Sequence, residues 1–378
     1  MLRPLFLAIG IASAGALLPR PARAQAIDPF ALPAEKIVLP NGLTIVLAPD
    51  PHAHLASVEV SYHAGAADDP DGLRGLAHMV EHLVAAQTKH IPDVARALEA
   101  IGGCRMNAVT SLDVTNFFES VPPERLANAL WIESDRMGHA AEAVTDERIG
   151  AQAKILANED RDRNLDAALG AVGSFTLHEL FPGWHPYAVA EGAGDIDRIH
   201  ASDVLAFLHT WYLPSNATLV IAGAFDRDAT AALVTRDFAG LPSTASPPRP
   251  ELPDTTPAGA WLAVKAATAQ DRIIFSWRTP AYGSREDAAL DLAATALAGA
   301  GNDLLTPLLG FWLGLGLDLE RVRALPGLLA KVGREDVLRV ANTYLPDRAL
   351  RVVFLGEDRW LDPSPLRVGR LERLDLSR

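Results

Sequence analysis

Apolar and polar residues alternate with a period of two in the first part of the chain, which is typical of half-buried strands. The segment KIVLPNGLTIVLAPD (36–50) predicts two strands joined by an Asn-Gly turn, and LASVEVSYHAGA (55–66) predicts a third strand. MNAVTSLDVTNFFESV (106–121) is rich in β-branched and aromatic residues, and NATLVIAG (216–223) is a short apolar run. Both segments are therefore predicted to lie in a sheet.

Apolar residues recur at helical spacing between these strands. The pattern predicts helices over about 73–87, 91–101, 123–138 and 145–163. Strands and helices are intermingled, without the regular βαβ alternation of a parallel sheet. We therefore predict an α+β fold.

The second half of the chain repeats the order of the first half. DVLAFLHTWYLPSNATLVIAG (203–223) and DVLRVANTYLPDRALRVVFLG (336–356) each contain a helical pattern, Tyr-Leu-Pro and an apolar strand that ends in Gly. A fainter match relates 58–83 to 273–297. These repeats predict two homologous domains, each a sheet with helices. The second copy is about half as long as the first, so the second domain is predicted to be truncated.

The N-terminus has the composition of a secretory leader. Arg3 precedes an apolar run over 5–18, and the small residues Ala22 and Ala24 provide a cleavage site. We expect a cleavable signal peptide and export to the bacterial periplasm or beyond, with an uncleaved anchor as the alternative. The apolar run is short for a membrane span and no later segment reaches spanning length, so no stable span is expected after cleavage.

These features predict five segments along the chain. They are a signal peptide over 1–24, an N-terminal domain over 36–243, a Pro-rich linker over 244–259, a shortened C-terminal domain over 260–362 and a tail over 363–378.

Composition excludes several classes of function. The net charge of −13 over 378 residues makes nucleic acids and anionic membrane surfaces poor partners. Cys104 is the single cysteine, so an intrachain disulfide and a zinc site of two or four cysteines are both excluded. We expect Cys104 to be a small buried residue rather than a nucleophile. A metal ion would have to be held by His, Asp and Glu side chains.

One predicted helix carries the residues of a metal site. In GLAHMVEHLV (75–84), His78 and His82 are four positions apart and therefore lie on the same helix face, with Glu81 beside them. Two imidazoles at this spacing can chelate Zn²⁺, and a neighbouring carboxylate can accept a proton from a water molecule. The order HxxEH is the inverzincin signature. The alternative is a helix with two histidines at its polar edge.

A third protein ligand would distinguish these alternatives. The helical segment AQAKILANEDRDR (151–163) offers Glu159, Asp160 and Asp162 as candidates. Spacing alone does not choose among the three acids.

The sequence resembles the pitrilysin family of inverzincin zinc metallopeptidases, in the short-subunit branch that includes bacterial processing-peptidase homologues. The similarity extends over most of 36–245. The segments that carry it, in family order, are DGLRGLAHMVEHLV (71–84), GGCRMNAVTSLDVTNFF (102–118), ESDRM (133–137), HPYA (185–188) and WYLPSNATLVIAG (211–223).

The resemblance implies a role for each site residue. In the family the third ligand follows the second histidine at the distance that Glu159 has from His82. His78, His82 and Glu159 would hold one Zn²⁺ per chain, and Glu81 would be the general base that assists the attack of water on a peptide bond. Co²⁺ and Mn²⁺ also accept this set of ligands.

The resemblance also implies residues around the metal. The family has Glu or Gln seven residues before its third ligand, and here Gln152 would support the site by hydrogen bonding. Asn107 and Ala108 would belong to a strand beside the metal that binds an extended peptide substrate through its main chain.

Taken together, these patterns predict a secreted zinc metalloendopeptidase for extended peptides or unfolded segments. The branch often forms heterodimers with a related subunit that lacks HxxEH and supplies an Arg/Tyr surface. No residue of this chain matches that Arg/Tyr pair. The alternative is a zinc-binding but proteolytically inactive subunit, because the C-terminal domain is incomplete.

Overall fold

The first four predicted strands and the first helix follow one another in the order that the hydropathy pattern indicates. The structure is a computed structural model, and it describes residues 34–161, 177, 178, 180–189, 195–245, 248, 260–265, 272–280, 284, 286, 287, 289, 290, 327, 331–344, 351–356 and 370–375. The described residues all lie in the unit Leu32–Arg378. The predicted signal peptide over 1–24 and most of the predicted linker over 244–259 lie outside them.

The strands and helices of the described residues are numbered in chain order. The strands are β1 (Glu35–Val38), β2 (Thr44–Pro49), β3 (Ala56–Tyr62), β4 (Cys104–Thr110), β5 (Thr115–Val121), β6 (Ala217–Gly223), β7 (Ala260–Lys265), β8 (Arg272–Ser276), β9 (Arg351–Gly356) and β10 (Arg370–Asp375). The helices are α1 (Leu76–Ala86), α2 (Val94–Ala100), α3 (Leu126–His139), α4 (Asp146–Asp160), α5 (Pro186–Val189), α6 (Ala201–Trp211), α7 (Arg227–Phe238) and α8 (Arg334–Tyr344).

Six strands form the first sheet, in the order β1-β2-β6-β3-β5-β4. The β2–β6 pair is parallel, and the other pairs are antiparallel. The predicted Asn-Gly turn joins β1 to β2, as expected. β4 is the last strand in the order, so among the described strands it has a neighbour on one side only. This edge lies next to α1.

One face of this sheet carries the core. In β3 the side chains of Val58, Val60 and Tyr62 are each 1% exposed, and they point toward the helices. α1 packs its apolar residues against this face, since Met79 and Leu83 are almost completely buried. Burying a side chain of this size contributes roughly 1.5–3 kcal/mol. The core therefore fixes the helix that carries the HxxEH sequence.

The second sheet repeats the centre of the first. Its order is β10-β7-β9-β8, with a parallel β7–β9 pair and an antiparallel β9–β8 pair, as in β2–β6–β3. α8 precedes β9 as α6 precedes β6, which agrees with the repeat seen in the sequence. The predicted α+β fold with two sheet-plus-helices halves is confirmed. The described part of the second sheet has four strands, against six in the first.

Three expectations differ from the structure. Residues 106–121 lie in the sheet as predicted, but as two strands, the hairpin β4–β5, whose turn closes with a hydrogen bond from Ser111 N to Val114 O of 2.8 Å. The predicted tail over 363–378 contains β10, which pairs with β7. The charged residues of β10 are typical of an edge strand, and they leave no run of apolar residues from which a strand would be predicted. Cys104 is exposed at the start of β4, because it lies on the outer strand of the sheet.

Among the described residues, the helices lack the combination of length and apolar composition that a membrane span requires.

Candidate metal centre

A partly buried carboxylate, that of Asp69, fixes the start of the helix that carries the candidate ligands. Asp69 accepts hydrogen bonds from the backbone N–H groups of Gly75, at 2.7 Å, and Ala77, at 2.8 Å. Gly75 precedes α1 with φ of 88°, a left-handed conformation that glycine adopts without strain. Burial raises the pKa of Asp69 to about 7, and the backbone hydrogen bonds oppose this shift. The clamp sets the first turn of α1 and therefore the position of His78.

Two imidazoles and one carboxylate converge between α1 and α4. Nε2 of His78 lies 3.6 Å from Oε2 of Glu159, and Nε2 of His82 lies 3.5 Å from the same oxygen. The two rings are 4.8 Å apart between centroids and nearly perpendicular, at 83°. Ligand atoms from all three side chains lie within 4.8 Å of one another. The fold therefore brings Glu159 next to two histidines that precede it by 81 and 77 positions along the chain.

Gln152 contacts the other nitrogen of His82. Its Oε1 lies 3.2 Å from Nδ1 of the ring. An amide oxygen only accepts a hydrogen bond, so this contact requires a proton on Nδ1. The lone pair of Nε2 then points toward Glu159, as a metal ligand requires.

Glu81 lies on α1 between the two histidines and is held by β4. The hydroxyl of Thr110 donates a hydrogen bond of 2.6 Å to Oε2 of Glu81. The Glu81 side chain is 6% exposed, and this burial raises the pKa of its carboxyl. The Thr110 hydrogen bond and the nearby His82 lower the pKa in part. A carboxyl with a raised pKa accepts a proton from water more readily than an exposed one.

α4 is fixed against α1 by a cation. The guanidinium of Arg148 donates to the backbone oxygens of Leu83, at 3.1 Å, and Ala143. Burial lowers the pKa of Arg148. The N-cap residue of α4 is Thr145, whose hydroxyl accepts a hydrogen bond from the backbone N–H of Arg148 at 3.3 Å. These contacts place Glu159, three turns further along α4, opposite the histidines.

A cavity of about 480 Å³ opens over this cluster and along the edge of the sheet. Val109 of β4 is 46% exposed at its rim. The residues that line the cavity come from α1, β4 and α4: His78, Glu81, His82, Ala85, Ala86, Asn107, Ala108, Val109, Thr110, Gln152 and Glu159.

All seven site residues that the sequence predicted therefore line one cavity. Of the three acids considered for the third ligand, Glu159 faces the histidines, Asp160 is not part of the cluster and Asp162 lies outside the described residues. Thr110 and Arg148 were not identified from the sequence. Thr110 belongs to the Asn-Ala-x-Thr segment that carries the family resemblance, so that segment could have identified it. Arg148 could not be identified from the sequence, because it donates to backbone oxygens, which every residue has.

The donor set fits a borderline divalent ion. Two imidazole nitrogens and one carboxylate oxygen are the usual protein ligands of catalytic Zn²⁺, which leaves one position open. The hydrogen bond from His82 to Gln152 and the burial of the neighbouring Glu81 are typical of the surroundings of such sites.

Two sequence models of one peptidase family match the chain. The model described as Insulinase (Peptidase family M16) matches residues 44–166, and the model of the Peptidase M16 inactive domain matches residues 198–309. Together they match more than half of the chain. The zinc protease PqqE of Helicobacter pylori is 26% identical over 276 residues, which are 71% of this chain and 61% of that protein. The chain thus spans less than two thirds of the length of this relative.

Solved structures show the same fold. A protease from Helicobacter pylori superimposes with a TM-score of 0.76 at 19% identity, covering 86% of this chain and 99% of that one. The periplasmic protease PqqL from Escherichia coli superimposes with a TM-score of 0.68 at 16% identity, covering 88% of this chain and 49% of that one. The two matched domains, which lie in the same order as in the family and share its fold, show that the chain belongs to the pitrilysin (M16, insulinase) family of zinc peptidases.

Proposed function

We propose that the chain is a zinc metalloendopeptidase that hydrolyses extended peptides or unfolded protein segments. The observation that supports this most directly is the convergence of His78, His82 and Glu159 beside a buried carboxyl and the open edge of a sheet. A purely structural metal site needs neither an open coordination position nor a neighbouring base.

His78, His82 and Glu159 would hold Zn²⁺, which in such sites lowers the pKa of water and polarises a carbonyl group. Glu81 then accepts the proton of the attacking water and returns it to the leaving amine. Thr110 keeps the Glu81 carboxylate in place through its hydroxyl. Gln152 keeps the proton of His82 on Nδ1, away from the ligand nitrogen.

The edge strand β4 supplies the binding surface for the peptide. Asn107 and Ala108 lie on this strand, on the wall of the cavity that also contains Glu81. An extended peptide that adds to β4 would form main-chain hydrogen bonds, which depend little on the side chains of the substrate. We therefore expect cleavage of many extended sequences rather than of one recognition site.

Cleavage of a mixed peptide pool by the purified chain tests the proposal. With Zn²⁺ present, we expect the intact chain to cut extended peptides and Glu81→Gln to lose about 100-fold or more of the rate. Glu81→Gln should bind as much zinc as the intact chain, because Glu81 is not a ligand. Failure of the intact chain to cut any peptide, alone or with a partner subunit, would contradict the proposal and favour a zinc-binding, inactive subunit.

The proposal includes export and a partner. The leader pattern over 1–24 and the fold shared with a protein named as a periplasmic protease support a periplasmic or secreted location. A related subunit that lacks HxxEH would close over the cavity and complete the substrate site. Fractionation of cells that express the full chain tests the location, and co-purification with such a subunit tests the heterodimer.

A further inference from the structure

A second pair of histidines lies outside the cavity, where the segment after α1 meets the end of α3. His90 follows α1, and His139 is the last residue of α3. The two rings are 4.8 Å apart between centroids, at 77°. The candidate catalytic pair, His78 and His82, has the same separation of 4.8 Å and an angle of 83°.

A carboxylate holds one nitrogen of each ring in this second pair. Nδ1 of His90 lies 2.6 Å from Oδ1 of Asp135, and Nδ1 of His139 lies 2.9 Å from Oε1 of Glu142. A carboxylate accepts, so both contacts place the proton on Nδ1 and leave the lone pair on Nε2. Among the described residues, neither Nε2 has a hydrogen-bond partner. This is the arrangement in which proteins present imidazole to a metal ion.

Both carboxylates are held in turn. The hydroxyl of Thr88 donates to Oδ2 of Asp135, and the ammonium group of Lys89 contacts Oε2 of Glu142. Asp135 is 4% exposed, so its orientation is fixed by the interior of the protein. The backbone N–H of Lys89 also donates to the backbone oxygen of His139, at 3.2 Å, which ties the two segments together.

The two rings themselves reach solvent. The side chain of His90 is 46% exposed and that of His139 is 37% exposed. The contact between Thr88 and the buried Asp135 is enough to stabilise this part of the fold, and it does not require two exposed imidazoles. The exposed rings of His90 and His139 are accessible to an ion from solution. One nitrogen of each ring and one oxygen of Asp135 lie within 4.8 Å of one another, so the three side chains form one compact cluster.

We propose that His90 and His139 form a second, surface site for a borderline divalent metal ion such as Zn²⁺, with Asp135 and Glu142 orienting the two imidazoles. Imidazole selects Zn²⁺ and its neighbours in the transition series over Ca²⁺ and Mg²⁺, which prefer oxygen ligands. The remaining coordination positions face solvent. The site is separate from the proposed catalytic one and does not depend on peptidase activity.

Zinc binding to the full chain, measured by metal analysis after dialysis at micromolar free Zn²⁺, tests the site. We expect two zinc ions per intact chain, one in Glu159→Ala, one in His139→Ala and none in the double variant. His209→Ala, an exposed histidine on α6, is the matched control and should keep two. Excess Ca²⁺ should not displace the second ion.

A second measurement does not depend on counting ions. In the Glu159→Ala chain, Zn²⁺ should raise the unfolding temperature, because an ion that binds only the folded state stabilises it. The double variant should show no such rise. The proposal is wrong if Glu159→Ala binds no zinc, or if the double variant binds as much zinc as Glu159→Ala. Because His139 is exposed at a helix end, its truncation tests the site even where His90→Ala does not fold.

Discussion

Oε1 of Gln152 lies 3.2 Å from Nδ1 of His82, on the side of the ring away from Glu159. The same imidazole therefore has an amide at one nitrogen and a carboxylate 3.5 Å from the other. The two partners belong to one helix and are seven residues apart, about two turns of α4. α4 thus provides both a candidate ligand and the group that orients a second ligand.

Loss of this amide should weaken metal binding. In Gln152→Ala the proton of His82 is no longer held on Nδ1, and we expect the affinity for Zn²⁺ to fall about 10–100-fold. Gln152→Glu keeps an acceptor and should retain tight binding. Competition with a chromophoric chelator measures the affinity, and Lys154→Ala, exposed on the same helix, is the control. If Gln152→Ala and Lys154→Ala bind Zn²⁺ with equal affinity, Gln152 does not orient His82 for metal binding.

The identity of the third ligand can be tested on adjacent acids. Glu159→Ala should lose the metal of the proposed catalytic site, because the two histidines alone leave the ion without its carboxylate. Asp160→Ala should keep it, since Asp160 does not belong to the cluster. Metal analysis in the His139→Ala background isolates this site from the second one. If Asp160→Ala loses the metal and Glu159→Ala keeps it, the third ligand is Asp160 and the assignment of Glu159 is wrong.

Thr110 should affect the rate of peptide cleavage and leave metal binding unchanged. Thr110→Val removes the donor to Oε2 of Glu81, and a hydrogen bond to a charged group corresponds to roughly tenfold or more in rate. Thr110→Ser keeps the hydroxyl and should restore most of kcat. The kinetic constants should show a loss in kcat with little change in KM. A change confined to KM would mean that Thr110 contacts the substrate rather than Glu81.

The sequence predicted the parts of the site that depend on local spacing. His78, Glu81 and His82 share one turn of α1, so helix geometry alone brings them together. Glu159 was selected by the family resemblance, because local rules do not determine which acid of α4 faces α1. The packing of α4, and hence the contact of Arg148 with Leu83, depends on the whole core.

The turn between β4 and β5 and the strand β10 were not predicted, because local sequence patterns mark them only weakly. The turn between β4 and β5 is Ser-Leu-Asp-Val, which contains the turn-forming residues Ser and Asp but lacks the Gly, Asn or Pro that marks a hairpin most strongly. β10 contains four charged residues among six, and it is recognised only by its pairing with β7. In contrast, the repeated helix and strand around Tyr-Leu-Pro were clear because both copies carry the same apolar pattern in the sequence.

The hairpin turn depends on the absence of a side chain at Gly65. A Cβ atom at this position would lie 2.3 Å from the backbone oxygen of Ser111 and 2.7 Å from that of Leu112. Gly65→Ala should therefore destabilise the protein by about 1–3 kcal/mol, measured by denaturant unfolding. Gly150→Ala in α4, where a Cβ meets nothing within 4 Å, should stabilise it by about 0.5–1 kcal/mol. A Gly65→Ala variant as stable as Gly150→Ala would show that the turn moves freely.

A buried cluster of three ionisable groups predicts a change of stability with pH. Arg136 lies 3.0 Å from Glu133, and both are at most 5% exposed. Glu119 lies beside Glu133, and the charge of Arg136 lowers the pKa of Glu119 only in part. Burial, followed by the charge of Glu133, raises the pKa of Glu119 well above its usual value, and burial also raises the pKa of Glu133, against the effect of Arg136. The proton of the pair therefore resides on Glu119.

Glu119→Gln should remove this dependence on pH. As pH rises above the pKa of an unfolded glutamate, the unfolded chain loses the Glu119 proton while the folded chain keeps it, so wild-type stability falls. Gln is always neutral and can donate the same hydrogen bond. We therefore expect the stability of the variant relative to the wild type, in the free energy of unfolding, to increase from pH 5 to pH 8. Glu133→Gln, the control, leaves Arg136 without a carboxylate and should cost about 3–5 kcal/mol at both pH values. A difference between Glu119→Gln and the wild type that stays constant with pH would show that Glu119 is ionised in the folded protein.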